Sequence, residues 1–547
     1  MFYFLPSWHS NNEHKWDNTA LPWYRNAQKI EFDDTINQLR MFNEAHEKSE
    51  TLILEYSPNL RSFLHRQDIY ETDYYSVFDD IQNVSGKQMC PFDFMKLDWP
   101  SGTDFSYTPF LVLARHHGEI IARIEFDNIG AILRIDLLEN IKITKRMIFD
   151  DRGFLSSVIH FDKRERELCQ TFLDLTGRWH IRVNYVSTPP QVEVNPEFKG
   201  EFKRSSYGNI EELIFEKFQS LLINKMNKND VLVIAAEKKR DGLILTAHHD
   251  IKIILSFFNN RYSFNDTDSL QHILKKANFC VTDTNYTSAA IKKIASNDYA
   301  DKKIEQITPF DSRLRLGKSQ RIKELKIFWL IEGLNQAEIR SLLKQLLFLM
   351  KTDERIELTI AAYSEYKLDS DVIARIADET IAENGLTSEF TFNKSSLTTP
   401  DSELNEDNEQ PKRNIYWHTI HTEDDIIKKL SDVRLIMDLG AKPDLFLQIA
   451  GISAGVPQIN TVKTSYVEDH KNGLIIKPEN SLSEAISYYF VGLAHWNEAL
   501  MYAANKVSEY SGNKLVSKWK KVTRGDDENS AREYQSTANR HGKLGQD

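Results

Sequence analysis

The sequence predicts an α/β protein built as two βαβ halves, with an antiparallel β-meander inserted into the first. Three observations carry that prediction. Buried-strand signals alternate with helical apolar periodicity towards both ends of the chain, the pattern of parallel sheets. Residues 105–205 instead show short alternating segments separated by close turns, the mark of antiparallel pairing. The length of 547 residues also exceeds what one core can serve, since single cores stop growing near ~250–300 residues.

Each element follows from its local pattern. Met1–Trp8 is apolar, lacks a basic flank and breaks at Pro6, so it reads as a buried first strand and not as a secretory leader. A loop carrying Trp8, Trp16 and Trp23 follows. Ile36, Leu39, Met41 and Phe42 place one apolar face on a helix from about Asp33 to Ala45. Thr51–Tyr56 is a second strand, and Pro58 opens another helix. In the insert, strands are expected at Tyr107–Ala114, Ile120–Asp127, Ala131–Leu138, Lys145–Phe149, Leu155–Phe161 and His180–Val186. Turn signals lie at Asp127-Asn128, Asp151-Arg-Gly153 and Thr176-Gly177.

From Tyr207 the α/β pattern returns. Glu211–Asn224 is expected as a helix and Val231–Ala236 as a fully buried strand. Leu243–Ala247, Lys252–Phe258 and Asn278–Thr282 are further expected strands. Leu325–Ile331 starts the second half, followed by a helix near Gln336–Met350 and strands at Ile356–Ala361, Ile415–His418, Val433–Met437 and Pro457–Thr461. The domain plan is therefore two Rossmann-like domains, 1–104 with 206–322 and then 323–522. The meander occupies 105–205 and a polar, disordered tail occupies 523–547. Asn393–Arg413, acidic and proline-containing, is expected to form a surface loop.

Composition narrows the functional class. Hydrophobic residues make up 41% and charged residues 27%, the balance of a soluble globular protein. A formal net charge of −11 disfavours nucleic acid as a partner. Cys90, Cys169 and Cys280 are too scattered for a disulfide framework or a metal site. No run reaches the ~18 apolar residues of a bilayer span. A cytoplasmic protein without a cofactor is expected, with peripheral contact at the inner membrane face left open.

The most informative segment is Val433–Pro478. A buried strand ends at Asp438-Leu-Gly440, a helix is expected to start with Pro443 at its first position, and Gly455-Val-Pro457 closes it. Asn472-Gly473 then turns into Leu474–Ile476, and Pro478 ends the unit. This order resembles the nucleotide-sugar half of retaining glycosyltransferases of the two-Rossmann (GT-B) type. The resemblance implies two glutamates eight positions apart, one supporting the transferring sugar and one holding the ribose hydroxyls. Counted back from Gly455, those positions hold Lys442 and Ala450. A methyl group accepts no hydroxyl hydrogen bond, and discrimination built on such bonds is lost with them. After Leu325–Ile331 the chain reads Glu332-Gly-Leu-Asn-Gln-Ala-Glu338, acidic where a diphosphate clamp belongs. The resemblance therefore implies a pseudoenzyme. Its relic donor pocket would be formed by Asp438, Lys442, Ser465, Tyr466 and Glu468, candidates for binding carbohydrate without turnover. Alternatively, Ser465-Tyr-Val-Glu468 only caps a following helix.

Five further segments point to a narrower family. They are Met1–Trp8, Phe32-Asp-Asp-Thr-Ile-Asn-Gln-Leu39, Phe149-Asp-Asp-Arg-Gly-Phe154, Tyr207-Gly-Asn-Ile-Glu-Glu-Leu213 and Pro309-Phe-Asp-Ser-Arg-Leu-Arg-Leu-Gly317. Together they resemble the first of the accessory secretory proteins of the Gram-positive accessory Sec system, over roughly residues 1–520. That resemblance implies a non-catalytic glycosyltransferase-like protein acting with two sibling accessory proteins and a SecA-type motor. The implied cargo is a glycosylated serine-rich-repeat adhesin. The alternative from another class is an active retaining glycosyltransferase, and a third is a structural subunit with no sugar affinity.

Other residues carry two readings each. His248 and His249 follow an expected strand, so they either contact sugar or form an ordinary polar loop. Arg313, Arg315, Lys318 and Arg321 either meet a partner or anionic lipid, or solvate an inter-domain linker. Trp8, Trp16, Trp23 and Trp99 are sugar-stacking platforms or, more simply, packing residues.

Overall fold

The computed structural model describes residues 1–8, 16–22, 33–127, 129–238, 240–247, 251–259, 261–295, 303–313, 315–363, 370–393 and 413–523. The expected loop Asn393–Arg413 and the polar tail lie almost wholly outside the described residues, as do His248, His249 and Trp23. Two compact units are present. The first is Met1–Ala27, Gln38–Val281 and Ala290–Glu305; the second is Gln28–Asn37, Thr282–Ala289 and Gln306–Asp547.

The chain opens on β1 (Phe2–Leu5), β2 (Ser49–Ile53) and β3 (Asp73–Ser76). Phe2 and Phe4 of β1 meet Phe42 of the helix Asp34–Glu44 edge-on, with ring centroids 4.9 and 5.1 Å apart. Asp33 Oδ1 starts that helix by accepting the Ile36 N–H. The meander comprises β4 (Asp104–Tyr107), β5 (Val112–His116), β6 (Glu119–Phe126), β7 (Ile132–Glu139) and β8 (Lys142–Asp150). It continues through β9 (Phe154–Phe161), β10 (Glu167–Leu173), β11 (Trp179–Asn184), β12 (Gln191–Val194) and β13 (Ser206–Tyr207). These ten strands form one antiparallel sheet in chain order, as the turn spacing predicts. Then come β14 (Val231–Ala235), β15 (Lys252–Phe257), β16 (Phe279–Thr282) and β17 (Ile304–Gln306). They complete a seven-stranded sheet of order β17-β16-β15-β14-β1-β2-β3. Its pairings β1–β14, β1–β2, β14–β15 and β2–β3 are all parallel.

Two expectations are corrected here. Leu243–Ala247 is not a strand: Asp241–Ile244 forms a short helix that runs into a turn. Asp241 accepts the Glu237 N–H at 2.7 Å and so starts that helix, while Ile244, Leu245 and Ala247 face the core. A short, mostly apolar run cannot by itself separate strand from buried helix. Tyr107–Ala114 is two strands, β4 and β5, because Pro109 interrupts the ladder and the Thr108 N–H closes a turn on the Leu111 carbonyl. The more polar strands β10, β12 and β13 carry too little apolar alternation to announce themselves.

The meander packs in two parts. Ile159, Phe172, Ile181 and Val183 join Tyr56, Phe78 and Leu213 in the core of the first parallel sheet. Residues of β5–β8 instead build a separate small core, covered by Phe92, Phe94, Leu97 and Trp99.

The second unit holds β18 (Leu325–Leu330), β19 (Ile356–Tyr363), β20 (Phe390–Asn393), β21 (Arg413–Ile420), β22 (Leu435–Asp438), β23 (Gln458–Asn460) and β24 (Gly473–Ile475). They form an all-parallel sheet of order β20-β21-β19-β18-β22-β23-β24. The helix Gln336–Thr352 begins with a capping box between Asn335 and Glu338, and it buries Ile339, Leu343, Leu346, Leu347 and Met350 on the sheet. Pro443 is not the first residue of the next helix. Asp444 caps Leu445–Ala454, its Oδ1 accepting the Leu447 N–H at 2.7 Å, and Pro443 precedes the cap. Pro478 begins the helix Pro478–Phe490 at its first position. Among the described residues no helix is long and apolar enough to cross a membrane.

Candidate functional site

The order in which the chain adds strands to the second sheet reverses between β18 and β22. Open parallel sheets bind ligands in the crevice at the carboxyl ends of strands flanking such a switch. Three carboxyl groups gather there. Glu332 follows β18, and its Oε1 accepts the Tyr363 N–H at 2.9 Å from the end of β19. Asp438 ends β22, and its Oδ2 accepts the Asp444 N–H at 2.6 Å. The buried Tyr363 hydroxyl lies beside the Asp444 carboxyl. Burial, together with the neighbouring Asp444 carboxyl, pushes Asp438 up to about 8 and Glu332 up to about 7. Burial also raises Asp444 itself.

The loops of this crevice press together. A Cβ on Gly440 would stand 2.5 Å from the Glu332 carbonyl oxygen, so only glycine permits the approach. Acceptors and latent negative charge therefore occupy the place where a diphosphate needs donors and cations. Among the described residues no cluster of His, Cys, Asp and Glu has the arrangement of a metal site.

Of the residues singled out from sequence, Lys442, Ser465 and Tyr466 gather around Asp283 and Gln306, while Asp438 and Glu468 have other partners. Asp438 is buried and serves the Gly440–Asp444 loop. Lys442 is exposed; partial desolvation lowers its pKa, against the attraction of Asp283 and Asp444. Ala450 is buried on the helix Leu445–Ala454. Ser465 Oγ and the Tyr466 hydroxyl both accept from Gln306 Nε2, at 2.9 and 3.2 Å, and Tyr466 donates to the Asp283 carbonyl at 2.6 Å. At 2% exposure, Tyr466 offers no surface to a ligand. Glu468 sits between Lys506 and Lys471, at 2.5 and 2.9 Å, which hold its carboxyl down to about 2. Ser465–Glu468 caps no helix, since none follows within the described residues 469–477; Thr464 Oγ1 closes this turn by accepting from the Tyr466 and Val467 N–H groups.

For His248 and His249 the strand that motivated the sugar-contact reading is a helix and turn. The basic stretch is not a loose linker. Its backbone is docked, Arg315 N to the Ser453 carbonyl and Gly317 N to the Ala454 carbonyl, at the end of the helix Leu445–Ala454. The side chains of Arg313, Arg315, Lys318 and Arg321 are exposed there, and cations at a helix C-terminus are favourably placed. Sequence reasoning missed Tyr363, Asp444 and Asp283, which lie far apart in the chain and carry no local motif. Trp8 meets Phe63 at a tilt with ring centroids 5.0 Å apart, and Trp99 donates to the Phe94 carbonyl, so both pack.

The first sheet has its own switch, between β1 and β14, and there too the protein fills the place. Arg240, buried, pairs with Glu55 and Glu237 and donates to the Pro6 carbonyl.

Two Rossmann-like sheets with a meander inserted in the first define a glycosyltransferase-like protein of the GT-B class. The pneumococcal O-GlcNAc transferase GtfA, solved with UDP and GlcNAc, shares this fold at a TM-score of 0.65, covering 96% of this chain and 98% of that one at 12% identity. A family profile described as accessory Sec system protein Asp-one, that is accessory secretory protein 1, matches residues 1–525. The chain belongs to that family. The protein of the same designation from Streptococcus gordonii is 35% identical over 529 residues, covering 95% of this chain and 98% of the relative. A solved structure of accessory secretory proteins 1, 2 and 3 of Streptococcus pneumoniae matches at a TM-score of 0.76 and 30% identity, covering 95% of this chain and 98% of that one.

Proposed function

We propose that this accessory Sec component works without catalysis, assembling with two sibling accessory secretory proteins and presenting glycosylated serine-rich-repeat adhesin to a SecA-type motor. The observation that carries the non-catalytic part is the switch-point crevice of the second sheet. Glu332, Asp438 and Asp444 crowd it with carboxyl groups, and Gly440 packs on the Glu332 carbonyl. A nucleotide sugar would bring a diphosphate to acceptors that cannot stabilise its leaving charge. The partner part rests on the pneumococcal relative, whose structure holds proteins 1, 2 and 3 together. The exposed side chains of Arg313, Arg315, Lys318 and Arg321 suit an acidic partner surface or an anionic membrane face.

Two measurements test this. The purified chain with UDP-GlcNAc, alone and with adhesin, is expected to release no UDP. Turnover abolished by Lys442→Ala would sink the non-catalytic reading. Capture from native cytoplasm is expected to bring sibling accessory proteins and adhesin, and recovery of neither would remove the export role.

A further inference from the structure

We propose that the open edge of β4 takes up an extended segment of another protein as an added strand, with an apolar side chain of that segment seated in the cavity beside Tyr107. β4 is the last strand of the ten-stranded sheet and has a neighbour, β5, on one side only. The register pairs Tyr107 with Val112 and Phe105 with Ala114, and the Thr108 N–H bonds the Leu111 carbonyl. Residues of an antiparallel strand alternate between bonding the neighbour and facing away from it. Thr108 and Ser106 therefore bond β5, and the N–H and C=O groups of Phe105 and Tyr107 point outward. Among the described residues no turn or loop bond takes either N–H. β4 is short, but it carries none of the proline, lysine or bulge that blunt most edges.

The side chains at this edge define the segment. A cavity of about 510 Å³ opens at the end of β4, with Phe94, Tyr107, Phe110, Val112 and Phe126 in its lining. Phe94 is held there by Phe105 and Phe126, at ring-centroid distances of 5.3 and 6.3 Å. Tyr107 and Phe110 are 64% and 53% exposed, so large rings face water around an apolar hollow, which marks a contact surface. Asp127, the charged member of the lining, is already spent on the N–H groups of Ile129 and Ala131 and on the Ser62 hydroxyl. Asp104 is exposed and has no ion pair among the described residues. Arg115, opposite it in register, turns to the Gly118 carbonyl at 3.4 Å. A residue placed opposite Tyr107 on an added strand shares its face and is aimed at the cavity. The residue opposite Asp104 lies three positions away. In an antiparallel strand, which continues the pattern of the sheet, the apolar residue comes first. The fitting segment thus reads apolar-x-x-cation in extended conformation.

This edge lies wholly in the first unit. It goes beyond the proposed function and needs neither the crevice of the second sheet nor the export role, which stands if this inference fails. The test mixes the full-length chain with the peptide Thr-Phe-Thr-Val-Lys-Thr, end-labelled with fluorescein, and reads anisotropy and hydrogen exchange. Saturable binding is expected, with exchange slowed over 104–107. N-methylation of the phenylalanine and valine, whose N–H groups face β4, should abolish binding. N-methylation of the middle threonine and the lysine, whose N–H groups face away, should leave it. Alanine in place of the phenylalanine should weaken binding about tenfold or more, and glutamate in place of the lysine should weaken it more than alanine does there. Tyr107→Pro removes one outward N–H at an edge position that tolerates proline, and should also cost about tenfold in affinity. If circular dichroism shows that variant misfolded, the methylated peptides on the unaltered chain decide. No saturable binding, equal affinity for the two methylated peptides, or protection away from β4 overturns the proposal. Self-association of the chain in sedimentation that slows exchange over β4 assigns the edge to a second copy and overturns it as well.

Discussion

Asp151 joins pieces of chain that are distant in sequence. Its two carboxylate oxygens take the Arg61 guanidinium at 2.5 Å and the Ser62 N–H at 2.8 Å, while its backbone bonds Pro58 and Cys90. Asp150 takes both Arg61 and Arg152, and Arg152 reaches on to Asp79 at 2.7 Å. The segment Phe149–Phe154 is therefore a buried ionic knot that ties the β8–β9 turn to the helix Leu60–Arg66. Removing one partner of such a network leaves charge buried and uncompensated. Arg61→Ala is expected to cost about 3–5 kcal/mol in denaturant unfolding; a loss below about 1 kcal/mol would show that the knot is dispensable. The carboxyl cluster of the second sheet makes a pH prediction. Glu332 and Asp438 titrate near 7 and 8 in the folded chain, against ~4 when unfolded. The fold thus binds protons that the unfolded chain has released, and the stability present below pH ~4 is lost as pH rises towards ~8. The thermal midpoint should fall across that window. Glu332→Gln, which keeps an acceptor for the Tyr363 N–H, should flatten the fall.

Helix ends show how local signals and tertiary demands combine. Gly455 stands at φ +70° and ends the helix Leu445–Ala454, which glycine alone does without strain. A Cβ there would also meet Leu500 at 2.2 Å and Leu316 at 3.0 Å. Gly455→Ala is expected to destabilise by about 2 kcal/mol or more, from left-handed strain plus overpacking, with a thermal midpoint several degrees lower; an unchanged midpoint would refute the cap. The Ala454-Gly-Val-Pro457 signature is thus explained by backbone geometry with no sugar present. Apolar strands such as Val231–Ala235 and Leu325–Leu330 were legible because every residue of them except Lys326 is suited to burial. Leu243–Ala247 was not, because a short, mostly apolar run fits a strand and a buried helical turn equally. Capping of Leu445–Ala454 by Asp444 displaced Pro443 from its expected place, since an aspartate side chain at the cap outweighs a missing N–H.

For the whole molecule, the basic stretch provides a measurable consequence. Its backbone is fixed on the helix Leu445–Ala454 while its side chains are exposed. Joint replacement of Arg313, Arg315, Lys318 and Arg321 by Gln is therefore expected to leave the fold intact. The same change should reduce the salt dependence of complex formation with the sibling accessory proteins, read by sedimentation at two ionic strengths. An unchanged dependence would place the contact elsewhere. The sequence alone determined the two βαβ halves and the inserted meander, because periodicity and turn residues are properties of neighbouring residues. It could not determine that Glu332, Asp438 and Asp444 share a crevice, or that Asp438 and Tyr466 serve the protein's own hydrogen bonds. Those facts depend on which strands lie side by side. Burial and charge at a point in space are set by residues that only the folded chain brings together.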